Sequence, residues 1–235
     1  MENGKTPALV CRQVTKQYGE AVALNDFNFT AHEGRIVGLL GPFGCGKSTL
    51  LKMAAGIERL GSGELLVLGE TPSHALMSSV AYMPDRPNIL GFGSVGRLIR
   101  YYKDFFPDFR PSVIESILPE LGITAKDKIR FLSPTVLRKL QLSLTMSRAA
   151  KLYLLDEPPA FTMDGSAEFV SRVIMANCPE SSTVVVASSQ VADVEYMLDD
   201  FFFITYGGRI LLSGSARVAR EGSGRSLAEL AKEVY

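Results

Sequence analysis

The sequence has no disulfide framework, no membrane-length apolar run and no excess of charge of either sign. Its three cysteines, Cys11, Cys45 and Cys178, are far apart and unpatterned. They argue against disulfides and against a zinc site, and they fit a reducing compartment. No apolar run approaches the roughly 20 residues that a membrane-spanning helix needs. The 25 Lys and Arg balance 25 Asp and Glu, and no run of basic residues stands out. A general nucleic-acid binder is therefore not expected. The opening residues MENGKTPALV lack a basic stretch followed by an apolar core, so no secretory leader is expected and the protein reads as cytosolic. There is no internal repeat, low-complexity tract or charge block. What is present is apolar content: 46% of 235 residues, enough for one large folded domain, or one with a small insertion.

The apolar runs are short and bounded by Gly, Pro or polar clusters. ALVCRQV and AVALNDFNF predict two early strands with a turn near Tyr18 and Gly19. RIVGLL, ELLVLG, SSVAYM, KLYLLDE, STVVVASS and DFFFITYGG predict further strands, and RILLSG closes a hairpin. STLLKMAAGI reads as a helix. SVGRLIRYYKDFF has Val95, Leu98, Ile99 and Tyr102 on one helical face. SVIESILPELGI predicts a short helix. SPTVLRKLQLSLTMSRAA predicts a longer one, with Ser133 as N-cap and Pro134 at the first helical position. GSGR, residues 222–225, reads as a flexible link to a terminal helix over about 225–235. Strands alternating with helices predict an α/β fold with a largely parallel sheet, and residues of about 86–150 read as a helical insertion.

Residues 41–49, GPFGCGKST, match G-x-x-x-x-G-K-[ST] after a buried strand and at the start of a helix. Gly41, Gly44 and Gly46 let the backbone curl so that successive N–H groups, with that of Cys45, converge on phosphate oxygens. Lys47 is expected between the β- and γ-phosphates, Ser48 on Mg²⁺, and Thr49 toward the α-phosphate. KLYLLDEP, residues 151–158, is a buried strand ending in two acids at the sheet's carboxyl edge. There Asp156 is expected to hold Mg²⁺ through water and Glu157 to polarise the attacking water. Tyr18 stands where an aromatic ring can stack on adenine.

Together these residues resemble the nucleotide-binding subunit of an ABC transporter, over nearly the whole chain. In that resemblance residues 41–49 are the Walker A motif, Leu152 to Glu157 the Walker B, and Phe131 to Leu142 the signature helix. It implies a P-loop NTPase, a RecA-like core with an antiparallel β-subdomain and a helical subdomain, in one domain over 1–235. It implies ATP and Mg²⁺ as cofactors and transport-coupled ATP hydrolysis as the activity. It also implies a second ATPase subunit as homo- or heterodimer, and a separate integral-membrane permease. RYYKDFFPDF and KLYLLDEP look most like the branch serving ABC-2-type exporters. The location implied is cytoplasmic, peripheral on the inner face of the cell membrane.

Four accessory elements depart from the family pattern. The L-S-G-G-Q signature is replaced by Leu132, Ser133, Pro134, Thr135 and Val136. Ser133 and Thr135 are the residues offered to the partner's ATP, yet Pro134 removes a backbone donor and Thr135 adds bulk. Asp85 stands at the Gln loop, where it can still reach Mg²⁺ or its water. Ser189, or Gln190 one place on, stands at the His switch, and both are neutral. In the D-loop, Met163 stands at the usual Asp and Asp164 one place late. The cis site is thus complete while the groups given to the partner site and the switch are altered, so tight nucleotide binding with slow hydrolysis is expected. The alternative is a regulatory nucleotide-binding module with little or no hydrolysis. A small P-loop kinase would want an arginine-bearing lid. Arg97, Arg100 and Arg110 read instead as solvated faces, and Tyr101, Tyr102, Phe105 and Phe106 as subdomain core.

Overall fold

A computed structural model describes residues 6–159 and 166–235, with the side chains of 166 and 167 excepted. Met163 and Asp164, the D-loop positions, lie outside the described residues. The elements run β1 (Pro7–Tyr18), β2 (Ala21–His32), β3 (Ile36–Leu40), α1 (Lys47–Ala54), β4 (Ser62–Val67) and β5 (Val80–Met83). They continue with α2 (Val95–Phe105), α3 (Pro111–Ile117), α4 (Pro134–Met146), β6 (Leu152–Asp156) and α5 (Ser166–Asn177). The chain finishes with β7 (Thr183–Ser188), β8 (Asp200–Ile204), β9 (Ile210–Ser215), α6 (Ala216–Ser223) and α7 (Leu227–Val234).

Two sheets result. One is antiparallel, in the order β2-β1-β4. The other has six strands in the order β5-β6-β7-β3-β8-β9. Within it β5, β6, β7, β3 and β8 run parallel, and β9 returns antiparallel on β8. Successive side chains of a strand face opposite ways, and this sheet is covered on both faces. On β7, Val184 and Val186 join one core with Tyr153, Leu155, Phe201 and Phe203, while Val185 and Ala187 join another with Leu39, Leu50 and Leu51. Near-continuous apolar runs such as TVVVAS follow from that double burial. The strand β3 lies between β7 and β8, so the loop leaving Leu40 emerges at the middle of the sheet's carboxyl edge.

Ser133 caps α4 by accepting from the Val136 N–H at 3.3 Å, with Pro134 following, as the sequence indicates. The helix stops at Met146, however, short of Ala150. Arg110 ends it by donating to the carbonyls of Met146 at 2.7 Å, Arg148 at 2.9 Å and, on α5, Asn177 at 2.7 Å. Arg110 is therefore an internal tie and not part of a solvated face. The second short helix, α3, ends at Ile117 because Pro119 cannot continue the hydrogen-bond ladder. Residues 222–225 are not a flexible link. Gly222 and Ser223 finish α6, Gly224 is its left-handed cap, and Ser226 opens α7 with a reciprocal Ser226–Glu229 capping box. The α7 end is fastened to the core by the Tyr235 hydroxyl, which donates to the Leu40 carbonyl at 2.7 Å. The aromatic group on α2 is only partly core. Tyr102 and Phe106 pack inward, while Tyr101 and Phe105 are 37% and 66% exposed.

Candidate functional site

The loop between β3 and α1 is a closed cradle. Gly44 and Gly46 have φ of 81° and 104°, a region L side chains rarely occupy. A Cβ on Gly46 would lie 2.4 Å from the Ala23 carbonyl oxygen, and one on Gly41 would lie 2.2 Å from that of Ile204. These two glycines let the loop lie flat on β2 and β8. Lys47 is 4% exposed, and its ammonium donates to the Gly41 and Pro42 carbonyls at 2.6 and 3.0 Å. Cys45 is buried inside the loop with its thiol pushed above the usual range by burial, partly offset by Lys47. Phe43 projects outward, 70% exposed, with the Lys47 ammonium 5.8 Å from its ring.

Asp156 ends β6 directly beside this loop. Its Oδ1 accepts from the Ser48 hydroxyl at 2.9 Å, and the Tyr82 hydroxyl stands 3.5 Å from Oδ2. Burial raises its carboxyl from 3.8 to about 6. The Ser48 hydrogen bond opposes that rise, and the charges of Asp85 and Glu157 add to it. Glu157 has φ of 47°, which turns its side chain back toward the loop. One carboxylate oxygen is 3.3 Å from the Lys47 ammonium. The other accepts from the Ser189 amide at 2.9 Å and the Ser189 hydroxyl at 3.1 Å. At the next position, the Gln190 backbone N–H donates to the Ser188 hydroxyl at 3.0 Å.

An open groove of about 310 Å³ gathers these groups. It is bordered by Tyr18, Phe43, Gly44, Lys47, Asp85 and Glu157, with Gly46, Ser48 and Thr49 also on its wall. Tyr18 is 45% exposed at its rim, with Lys16 5.0 Å from the ring centre. The structure therefore brings Tyr18, residues 44 and 46–49, Asp85, Asp156, Glu157 and Ser189 to one edge. It does not bring Ser133 and Thr135 there. Ser133 caps α4, and Thr135 borders a separate groove of about 400 Å³ with Glu120, Lys139 and Arg172.

A carboxylate, a hydroxyl and a second acid nearby are hard oxygen donors of the kind Mg²⁺ takes. Among the described residues, no three His, Cys, Asp or Glu side chains could hold a metal alone. That fits Mg²⁺, which takes one or two carboxylates and completes its shell with water and substrate phosphate. Two neighbours escaped the sequence reading. Tyr82 carries no motif signal. Arg138, inside α4, donates to the carbonyls of Pro84 at 2.8 Å and Glu157, and gains visibility only once α4 is packed on the site.

The family described as ABC transporter matches residues 24–160. The spermidine/putrescine import ATP-binding protein PotA of Haemophilus influenzae is 26% identical over 230 residues, covering 95% of this chain and 60% of that protein. The Nod factor export ATP-binding protein I of Cupriavidus pinatubonensis is 28% identical over 218 residues, covering 89% of this chain and 66% of that protein. The chain thus spans about 60% of the length of the polyamine-import relatives it matches. A solved structure of an ATP-binding subunit of an ABC transporter superposes with a TM-score of 0.80 at 20% identity, covering 97% of this chain and 99% of that one.

Proposed function

The chain belongs to the ABC transporter family, and from that premise we propose that it is the ATP-binding subunit of a transporter, a single nucleotide-binding domain whose helical subdomain spans about 86–150. It binds Mg-ATP and drives a separate membrane permease by dimer closure and slow hydrolysis. The observation that carries this reading is the Ser48–Asp156 hydrogen bond beside the Lys47 cradle, with Glu157 turned into the same groove. When ATP is bound, Lys47 and the amides of residues 44–49 hold its phosphates, and Tyr18 stacks on the base. Ser48, Asp156 and Asp85 would hold Mg²⁺, which would offset phosphate charge there. Glu157 orients the water that attacks the γ-phosphate, and Ser189 holds Glu157 in place.

Slow turnover follows from the altered accessory groups. Ser189 offers Glu157 a neutral hydrogen bond where the family pattern has an imidazole. Pro134 has no N–H to give a partner's phosphate. Loss of a charge-assisted contact to the transition state costs a few kcal/mol, on the order of a hundredfold in rate or more. The second ATPase subunit is a copy of this chain or a relative whose intact signature completes this site. The exposed Leu90, Tyr101 and Phe105, at 58%, 37% and 66%, offer the permease an apolar contact on the helical side. We assign the permease to the ABC-2 type, on the stretches RYYKDFFPDF and KLYLLDEP and the Nod factor export relative. The subunit then works at the inner face of the cell membrane.

The test is ATP turnover by the purified chain, alone and reconstituted with its permease, beside calorimetric titration with Mg-ATP. Tight binding with slow hydrolysis that Glu157→Gln abolishes supports the reading. Rates equal to those of an ordinary transport ATPase remove the slow-hydrolysis proposal, and absence of Mg-ATP binding removes the whole of it.

A further inference from the structure

The residue that joins the signature helix to the acids of the site is Arg138. It lies on α4, a little over one turn past the Ser133 cap. One guanidinium nitrogen, Nη1, donates to the Pro84 carbonyl at 2.8 Å and to the Gln141 side-chain oxygen at 3.3 Å. The other, Nη2, donates to the Glu157 carbonyl and stands 3.5 Å from that of Asp156. Gln141, itself 1% exposed, adds a second donor to the Pro84 carbonyl at 3.4 Å. One planar cation thus grips two chain segments that have no covalent link nearer than β6 and the helices before it. The first segment leads into Asp85 and the second carries Asp156 and Glu157.

The need for such a grip is visible in the backbone. Glu157 is not glycine, yet it is held at φ 47°. A residue in that region persists only when its surroundings over-determine it. Its N–H is fixed by the Ala187 carbonyl at 2.8 Å on β7, and its carbonyl by Arg138. The left-handed twist is what sends the carboxylate back to Lys47 and Ser189. Arg138 also supplies positive charge to a site where Asp85, Asp156 and Glu157 gather. It touches none of the loop that cradles phosphate.

We propose that Arg138 is a positioning residue: from the helical side of the molecule it fixes the Pro84–Asp85 and Asp156–Glu157 segments against each other and thereby aims the Glu157 carboxylate. The proposal rests on the ATPase reading above and adds to it a mechanical route. A shift of α4, the helix that carries Ser133 and Thr135, is transmitted through one guanidinium to the acid that orients water. A lysine cannot replace it, because an ammonium lacks the planar fork that reaches two carbonyls on separate segments at once.

The test compares wild type, Arg138→Lys and Arg138→Met in the chain assembled with its permease. The expected result for both variants is a split: KM for ATP within about threefold of wild type, because the cradle is untouched, and kcat lower by at least about tenfold. A wild-type kcat in Arg138→Lys, or a kcat and KM that change together, overturns the proposal. A second measurement separates it from the function reading and needs no turnover. Amide hydrogen exchange is followed in residues 85–89 and 154–157 of the Mg-ATP-free chain. Faster exchange in both segments of Arg138→Met, with β1 and β2 unchanged, supports the proposal even if the wild type hydrolyses nothing; unchanged exchange in these segments overturns it.

Discussion

Replacing Asp156 by asparagine separates the cost of a buried acid from its use. Asp156 is 1% exposed, and burial lifts its carboxyl from 3.8 to about 6, against the opposing Ser48 hydrogen bond. The folded chain therefore holds this proton more tightly than the unfolded chain does. Stability falls as pH rises from about 4 to about 6, and the loss is complete above that window. The shift corresponds to about 3 kcal/mol at neutral pH. Asparagine keeps an oxygen to accept from the Ser48 hydroxyl and removes the charge beside Asp85 and Glu157. In the absence of nucleotide and metal, Asp156→Asn should melt on the order of 6–12 °C above wild type at about pH 7.5. At about pH 5 that advantage should shrink to about half, since the wild-type carboxyl is then mostly protonated. The thermal shift that Mg-ATP gives the wild type should be largely absent from the variant. Scanning calorimetry at the two pH values, with and without Mg-ATP, measures all three. A variant no more stable than wild type at pH 7.5, or an advantage that does not shrink on acidification, refutes the argument.

Other substitutions follow from the same geometry. Gly46→Ala places a methyl 2.4 Å from the Ala23 carbonyl oxygen at φ 104°, and should abolish Mg-ATP binding by calorimetry and lower the melting temperature. Tyr18→Ala removes the exposed ring at the groove rim, and should weaken ATP by roughly five- to a hundredfold in equilibrium titration, as expected for a lost base–aromatic stack. Arg148 is buried, pairs with Asp108 at 2.9 Å, donates to the Val80 carbonyl at 2.6 Å and stacks on Phe106 at 4.3 Å. Arg148→Met leaves these partners without their cation, and should cost about 3–5 kcal/mol by denaturant titration.

The phosphate cradle and the acid pair were legible in the sequence because their chemistry is local. Nine consecutive residues at 41–49, and a five-residue strand ending at Asp156, contain their own geometry. The strand β7 was legible for the same reason, as an unbroken apolar run, STVVVASS. What escaped depends on residues far apart in sequence. The end of α4 is set by Arg110, more than 35 positions upstream of Met146. The place of Arg138 is set by carbonyls 54 and 19 positions away. The helix α6 has no acid at its third position to signal a capping box, and its start at Ser215 goes unmarked in the sequence. The contact of Ser189 with Glu157 is likewise set across 32 positions, a distance that an ungapped alignment of motifs does not contain.

The position of β3 between β7 and β8 has a consequence for synthesis. The antiparallel sheet is drawn from residues 7–67 and can pair as soon as they leave the ribosome. The phosphate loop belongs to the same early stretch, yet both neighbours of its strand lie between residues 183 and 204. Its root carbonyl at Leu40 waits longer still, for a hydroxyl 195 positions downstream. A nascent chain halted before β7 therefore carries the whole phosphate motif without the two strands that flank the one leading into it. Nucleotide capture should begin late in translation, once β7 and β8 flank the strand that leads into the loop.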